Sequence, residues 1–189
     1  MLISKFDTQN VKESIIEFEN KHDFKFPNQY RAFLEKYNGG ETPRTDFKLN
    51  KISSDIRGLF GFGNINKYYS YNHLEEFDIL KEAIKDGVLP IGENVFGDYI
   101  MLGIDDGHEG KIYFHYHDRR KKYIELAKDF KTFVAKCKSK KIGHIRTIEE
   151  RKAYVISVGN GDKIDSQLIK SWQVEIDRYK NIHQEELIL

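Results

Sequence analysis

One cysteine, Cys137, is all that 189 residues contain, so no internal disulfide can form and a reducing compartment is the expected setting. No stretch approaches the ~20 consecutive apolar residues of a membrane-spanning helix. Met1-Leu2-Ile3-Ser4-Lys5 is too short for the apolar region of a signal peptide. These absences predict a soluble, cytoplasmic chain with no membrane partner. Net charge is nearly absent too, at +1, and by itself argues neither for nor against nucleic acid. Missing as well are HExxH, a paired-cysteine ligand set and a serine on a strand–elbow–helix motif. There is no low-complexity tract and no internal repeat.

Aromatic residues are plentiful, with 13 Phe and 11 Tyr in a chain that is 39% apolar and 32% charged. That composition and length suit one domain, or one domain plus an appendage, with a real core. The neutral total hides blocks of opposite sign. Residues 71–110 carry 10 acidic and 2 basic side chains, and residues 111–141 carry 3 acidic and 11 basic.

Residues 26–40 read F-P-N-Q-Y-R-A-F-L-E-K-Y-N-G-G, a helix with both ends written in. Pro27 fits the first turn, where its missing N–H would lack a partner anyway. Tyr30, Phe33, Leu34 and Tyr37 recur at i, i+3, i+4 and i+7, and Asn38-Gly39-Gly40 offers the left-handed stop. An earlier helix is predicted over residues 11–21, with Asn10 as N-cap, Glu13 as its capping partner and Val11, Ile15 and Phe18 as its stripe. Short strands are expected between residues 43 and 63. A third helix is predicted over 71–85 through Leu74, Phe77, Leu80 and Ile84. The period then becomes two over 88–91, 99–104 and 111–117, with Asp105-Asp106-Gly107 turning an antiparallel hairpin. A closing helix is predicted over 125–138, through Leu126, Phe130, Phe133, Val134 and Cys137. Residues 142–189 read as a helical hairpin broken at Gly159-Asn160-Gly161, with Asp165 or Ser166 as a cap. Ile169, Trp172, Ile176 and Tyr179 share a face of its second arm. The domain reading is 1–141 as an α+β domain and 142–189 as an extension packed on it.

Side chains able to carry chemistry are few. His115 and His117 share a side in a strand and could hold a metal with Asp118 or His108, but without further ligand spacing a polar strand is the better reading. Gly61-Phe62-Gly63-Asn64-Ile65-Asn66 lacks the third glycine and the βαβ unit of a phosphate loop, so it reads as a turn. Cys137 falls on an apolar stripe, where a thiol is inert. Arg119-Arg120-Lys121-Lys122 and the lysines of 136–141 are a basic footprint, with Tyr113, Tyr116 and Tyr123 as stacking rings if nucleic acid binds. Solvated loops and helix ends account for them as well.

The order of these pieces resembles the SUKH superfamily, which includes bacterial toxin-immunity proteins and fungal cell-wall-synthesis regulators. The resemblance rests on Phe26-Pro27, the Tyr30-Arg31-Ala32-Phe33-Leu34 helix and Asn38-Gly39-Gly40. It continues through Leu89-Pro90-Ile91-Gly92, Gly97-Asp98-Tyr99-Ile100-Met101-Leu102, Gly110-Lys111-Ile112-Tyr113-Phe114, His117-Asp118 and the phenylalanines of the closing helix. It covers roughly residues 10–138. It implies an antiparallel sheet flanked by helices and a non-enzymatic protein-binding role, foremost immunity against a toxin, often a nuclease. No cofactor, metal or catalytic residue is implied. The alternatives are a regulatory scaffold without a toxin, or a nucleic-acid binder through 111–141. Candidate partner contacts are Glu75, Glu76 and Asp78 of the acidic block, the turn residues Asn38 and Asp98, and His115, His117 and Asp118.

Overall fold

The computed structural model describes residues 1–119, 122–180 and 182–189. The chain runs β1 (Leu2–Lys5), α1 (Val11–His22), α2 (Asn28–Tyr37), β2 (Gly40–Leu49), β3 (Ile52–Leu59), α3 (Tyr71–Leu74) and α4 (Asp78–Lys85). Then come β4 (Val88–Glu93), β5 (Tyr99–Gly103), β6 (Ile112–His115), β7 (Tyr123–Ala127), α5 (Phe130–Lys136) and β8 (Lys138–Ser139). After α6 (Ile148–Ser157) and α7 (Ser166–Tyr179), the chain ends in β9 (Glu185–Glu186). All strands join one antiparallel sheet in the order β7-β6-β5-β4-β3-β2-β1-β9, with β8 pairing β2. The fold is α+β.

The main core lies on one face of this sheet. Helix α2 buries Tyr30, Phe33, Leu34 and Tyr37, and α1 buries Val11, Ile15 and Phe18, against Phe47, Ile56, Ile100, Leu102, Ile112 and Phe114. Alternation along β5 sends Met101 to the other face, where Ala83, Val88 and Tyr113 form a smaller cluster under α4. Two faces are therefore covered at the β4–β6 end. The β2–β3 hairpin alternates buried Thr45 and Phe47 with exposed Arg44, Asp46 and Lys48. Asn50 and Lys51, both at positive φ (45° and 70°), form the two-residue turn joining its strands.

A carboxylate pins α1 to α2. Glu19 is 2% exposed, yet it accepts bonds from Arg31 (Nη1, 2.6 Å), the Phe26 N–H (3.0 Å) and Lys25 (3.2 Å). Burial raises the Glu19 carboxyl, but Arg31, the amide and Lys25 outweigh it and hold it below its usual range. A depressed carboxyl contributes stability above its unfolded value, near pH 4.3, that is lost as pH falls through the lower folded value. Glu19→Ala should cost about 2–3 kcal/mol at neutral pH, because the Phe26 amide loses its acceptor. Urea unfolding should show the two proteins converging below about pH 4.

Four elements depart from the sequence reading. Asn10 sits at φ 60° and makes no side-chain cap, so the expected capping box is absent from α1. The helix over 71–85 breaks at residues 75–77 into α3 and α4, which leaves Phe77 50% exposed rather than on the stripe. Residues 123–127 form an edge strand in register with β6 (His115 opposite Tyr123), and Asp129 caps α5 by accepting from the Thr132 N–H at 2.7 Å. Leu126 is buried, from a strand rather than a helix. Finally, residues 184–189 group with residues 1–141, while 142–183 form a second compact unit. Within that second unit Thr147 and Glu150 make a full capping box on α6 and Asp165 caps α7.

Candidate partner-binding surface

Asn38 ends α2 in the left-handed region (φ 52°), where its N–H bonds the Leu34 carbonyl at 2.7 Å. Its side chain is a buried staple. Nδ2 donates to the carbonyls of Asp7 (2.5 Å) and Phe62 (2.9 Å), and Oδ1 accepts from the Phe62 N–H at 2.8 Å. A Cβ on Gly39 would meet the Leu59 and Phe60 carbonyls at 2.5 Å, and one on Gly61 would fall on the Asn38 carbonyl oxygen. Asn-Gly-Gly thus lets two segments cross at backbone distance.

Asp98 holds a second turn. It is buried between β4 and β5, and its Oδ1 accepts from the His117 backbone N–H (3.1 Å) and contacts His117 Nδ1 (2.8 Å). Asn94 closes the turn. Its amide donates to Asp98 Oδ2 (3.0 Å) and Ser54 Oγ (2.9 Å), and its Oδ1 accepts from the N–H groups of Phe96 and Asp98. Burial raises the Asp98 carboxyl, but the His117 and Asn94 bonds outweigh that and hold it below its ordinary value. This frame presents Phe96 at the turn's tip, 73% exposed.

His115 and His117 are used separately. β6 ends at His115, whose ring is buried against Tyr123 at 5.1 Å, whereas His117 is tied to Asp98. Asp118 is exposed, 3.9 Å from Arg119, and Arg119 stacks on Tyr116 at 4.6 Å. Among the described residues no group of three or more His, Cys, Asp or Glu is placed to hold a metal. Burial pushes the Cys137 thiol up to about 12. Of the basic run, Arg120 and Lys121 lie outside the described residues. The expected stacking rings have other contacts, since Tyr113 is buried and Tyr123 donates to Asp86 at 3.0 Å.

The acidic trio divides. Glu75 binds Lys21 (2.6 Å) and His22 (2.7 Å), joining the end of α3 to α1. Glu76 and Asp78 are exposed, with Glu76 3.3 Å from His73 Nδ1. Between them, the break that ended α3 turns Phe77 outward, edge-on to His73 at 5.1 Å, and His73 in turn meets Tyr68 at 6.5 Å. Tyr68, His73 and Phe77 form an aromatic ridge with carboxylates beside it, and Tyr68 is 62% exposed. The segment that carries the ridge is anchored by buried Tyr69, Tyr71 and Leu74. Sequence reasoning missed it because Phe77 fits the helical stripe numerically.

In the other unit, Arg151, Tyr154, Val155 and Trp172 line a groove of about 420 Å³ between α6 and α7, with Arg151 bonded to Glu175 at 2.8 Å.

A single antiparallel sheet with helices on its faces and stapled turns defines an α+β module. The chain belongs to the SMI1 / KNR4 family (SUKH-1), whose sequence profile matches residues 11–136, from α1 through α5. That membership makes it an immunity or regulatory module. No curated protein and no solved structure matches the chain. Among the described residues no helix is long and apolar enough to cross a membrane.

Proposed function

We propose that the protein is a non-enzymatic immunity module that binds and neutralises a toxin domain, with a nuclease as the favoured toxin class. The carrying observation is the Tyr68–His73–Phe77 ridge beside Glu76 and Asp78. Exposed aromatics on a rigid base are the residues that concentrate binding energy in protein interfaces. Neighbouring carboxylates suit a basic partner surface, and nucleic-acid enzymes carry such surfaces because they bind phosphate. The motif residues Asn38 and Asp98 are buried turn staples, which leaves recognition to exposed side chains. A cytoplasmic setting fits a chain whose one thiol is buried.

Co-expression with a candidate toxin domain, sought first in the neighbouring reading frames, tests this reading. Cells should survive only when the protein is present, and the two chains should co-purify. Death of the co-expressing cells, with a folded protein that fails to co-purify, would favour a regulatory scaffold instead.

A further inference from the structure

The sheet edge at β1 carries an assembled strand-docking groove, and one short piece of the chain fills it. Residues 184–189, Gln-Glu-Glu-Leu-Ile-Leu, return to the first unit as β9, pairing Glu186 with Leu2 and Glu185 with Ile3. The Leu187 N–H donates to the Met1 carbonyl at 2.9 Å, and the Leu187 side chain, 5% exposed, plugs into the main core. Ile188 points out, and its backbone is gripped from both sides. Its N–H donates to Tyr37 Oη (3.1 Å), while Tyr37 Oη and Lys36 Nζ donate to its carbonyl at 3.3 and 3.1 Å. Leu189 packs inward again, so the side chains alternate as in a strand.

The walls of the groove also have contacts of their own. Tyr37 is fixed by stacking on Phe33 at 5.7 Å, and β1 keeps its own pairing to β2 through Ser4 and Lys5. Lys5 and Lys36 flank the groove with positive charge, and Lys5 lies 3.4 Å from Glu185. The occupant is short: two register pairs, the Leu187 and Ile188 hydrogen bonds, the buried Leu187 side chain, the partly buried Leu189 and an ion pair hold it. It also returns only after residues 142–183, in which α6 and α7 bury no residue. Both β1 and β9 lie outside the matched family region.

We propose that this edge is a strand-addition site which residues 184–189 occupy in cis, and which a partner protein's extended segment of the same chemistry takes over. That chemistry is an acidic pair followed by leucines at alternate positions. Main-chain bonds to β1 supply affinity, the Leu187 socket supplies specificity and the lysines select the acidic pair. The cis segment competes at an effective concentration on the order of millimolar or less. Only a partner strand that exceeds this competition displaces it.

The test uses the full chain and a fluorescent synthetic peptide of residues 184–189. Leu187→Asp in the protein should release the cis segment, and the peptide should then bind at least tenfold tighter than it binds the unmodified chain, by fluorescence anisotropy. A peptide carrying Leu187→Asp should bind neither protein. The pair Glu185→Lys and Glu186→Lys, neither of which belongs to the buried core, should also raise peptide affinity, and decides the matter if Leu187→Asp fails to fold. Folded variants that bind no better than the unmodified chain would overturn the proposal. A concentration-dependent dimer of the unmodified chain that the peptide dissolves would overturn it too, giving the groove to a second copy.

Discussion

Phe33→Ala should be the most damaging single truncation, lowering stability by about 3–5 kcal/mol. Phe33 is 1% exposed, and its ring lies 5.3 Å from Tyr30, 5.7 Å from Tyr37 and 5.0 Å from Phe130. Those three rings belong to α2 and α5, so they cannot all relax into the void without moving a helix. The cost then includes a cavity as well as lost burial. Tyr37 would also lose the stack that aims its hydroxyl at Ile188, so the 184–189 segment should loosen with it. Thermal unfolding should show a midpoint lower by about 6–20 °C, given about 2–4 °C per kcal/mol at this size. A variant melting within a few degrees of the parent would mean that this stripe does not organise the core.

What could be read beforehand divides along physical lines. Helix α2 was legible from end to end, because Pro27, the aromatic stripe and Asn38-Gly39-Gly40 are local signals that the tertiary structure leaves standing. The β5–β6 hairpin and the cap of α7, read as Asp165 or Ser166 and found at Asp165, were legible for the same reason. The start of α5 was not. Leu126, Phe130, Phe133, Val134 and Cys137 fit a helical period, but pairing with β6 claims residues 123–127 and Asp129 begins the helix four residues later. Glu19 carried no local sign of burial, since its main partner Arg31 is twelve residues away and meets it only after two helices pack. The β1–β9 pairing was further out of reach, joining the two ends of the sequence through a two-residue strand. Of the candidate contacts, Asn38 and Asp98 were read as turn residues and sit in turns. Glu75 was grouped with Glu76 and Asp78 by charge count alone, which cannot tell an ion pair with Lys21 from a free carboxylate.

That division decides how the partner surface is best tested. Tyr68→Ala and Phe77→Ala should each weaken partner binding by about 30-fold or more, corresponding to about 2 kcal/mol for a central aromatic anchor. Both side chains are at least half exposed, so the melting temperature should hardly move. Reversing Glu76 and Asp78 to Lys should act differently. It should slow association and flatten its salt dependence while changing dissociation little, because exposed charges steer encounter more than they hold the complex. Glu75 belongs outside this set, since Glu75→Lys would place a cation against Lys21 and His22 and destabilise the α1–α3 junction. Surface plasmon resonance at two ionic strengths separates the two signatures. Aromatic truncations should appear in the off-rate at both salts, and the reversals in the on-rate at low salt. Reversal of Arg119 and Lys122, by contrast, should leave partner binding intact. If that reversal abolishes function and the native protein shifts RNA or DNA with a steep salt slope, the basic segment is the binding surface. If no change on the ridge alters binding, recognition moves to the 142–183 unit, where the groove beside Trp172 is the next surface to truncate.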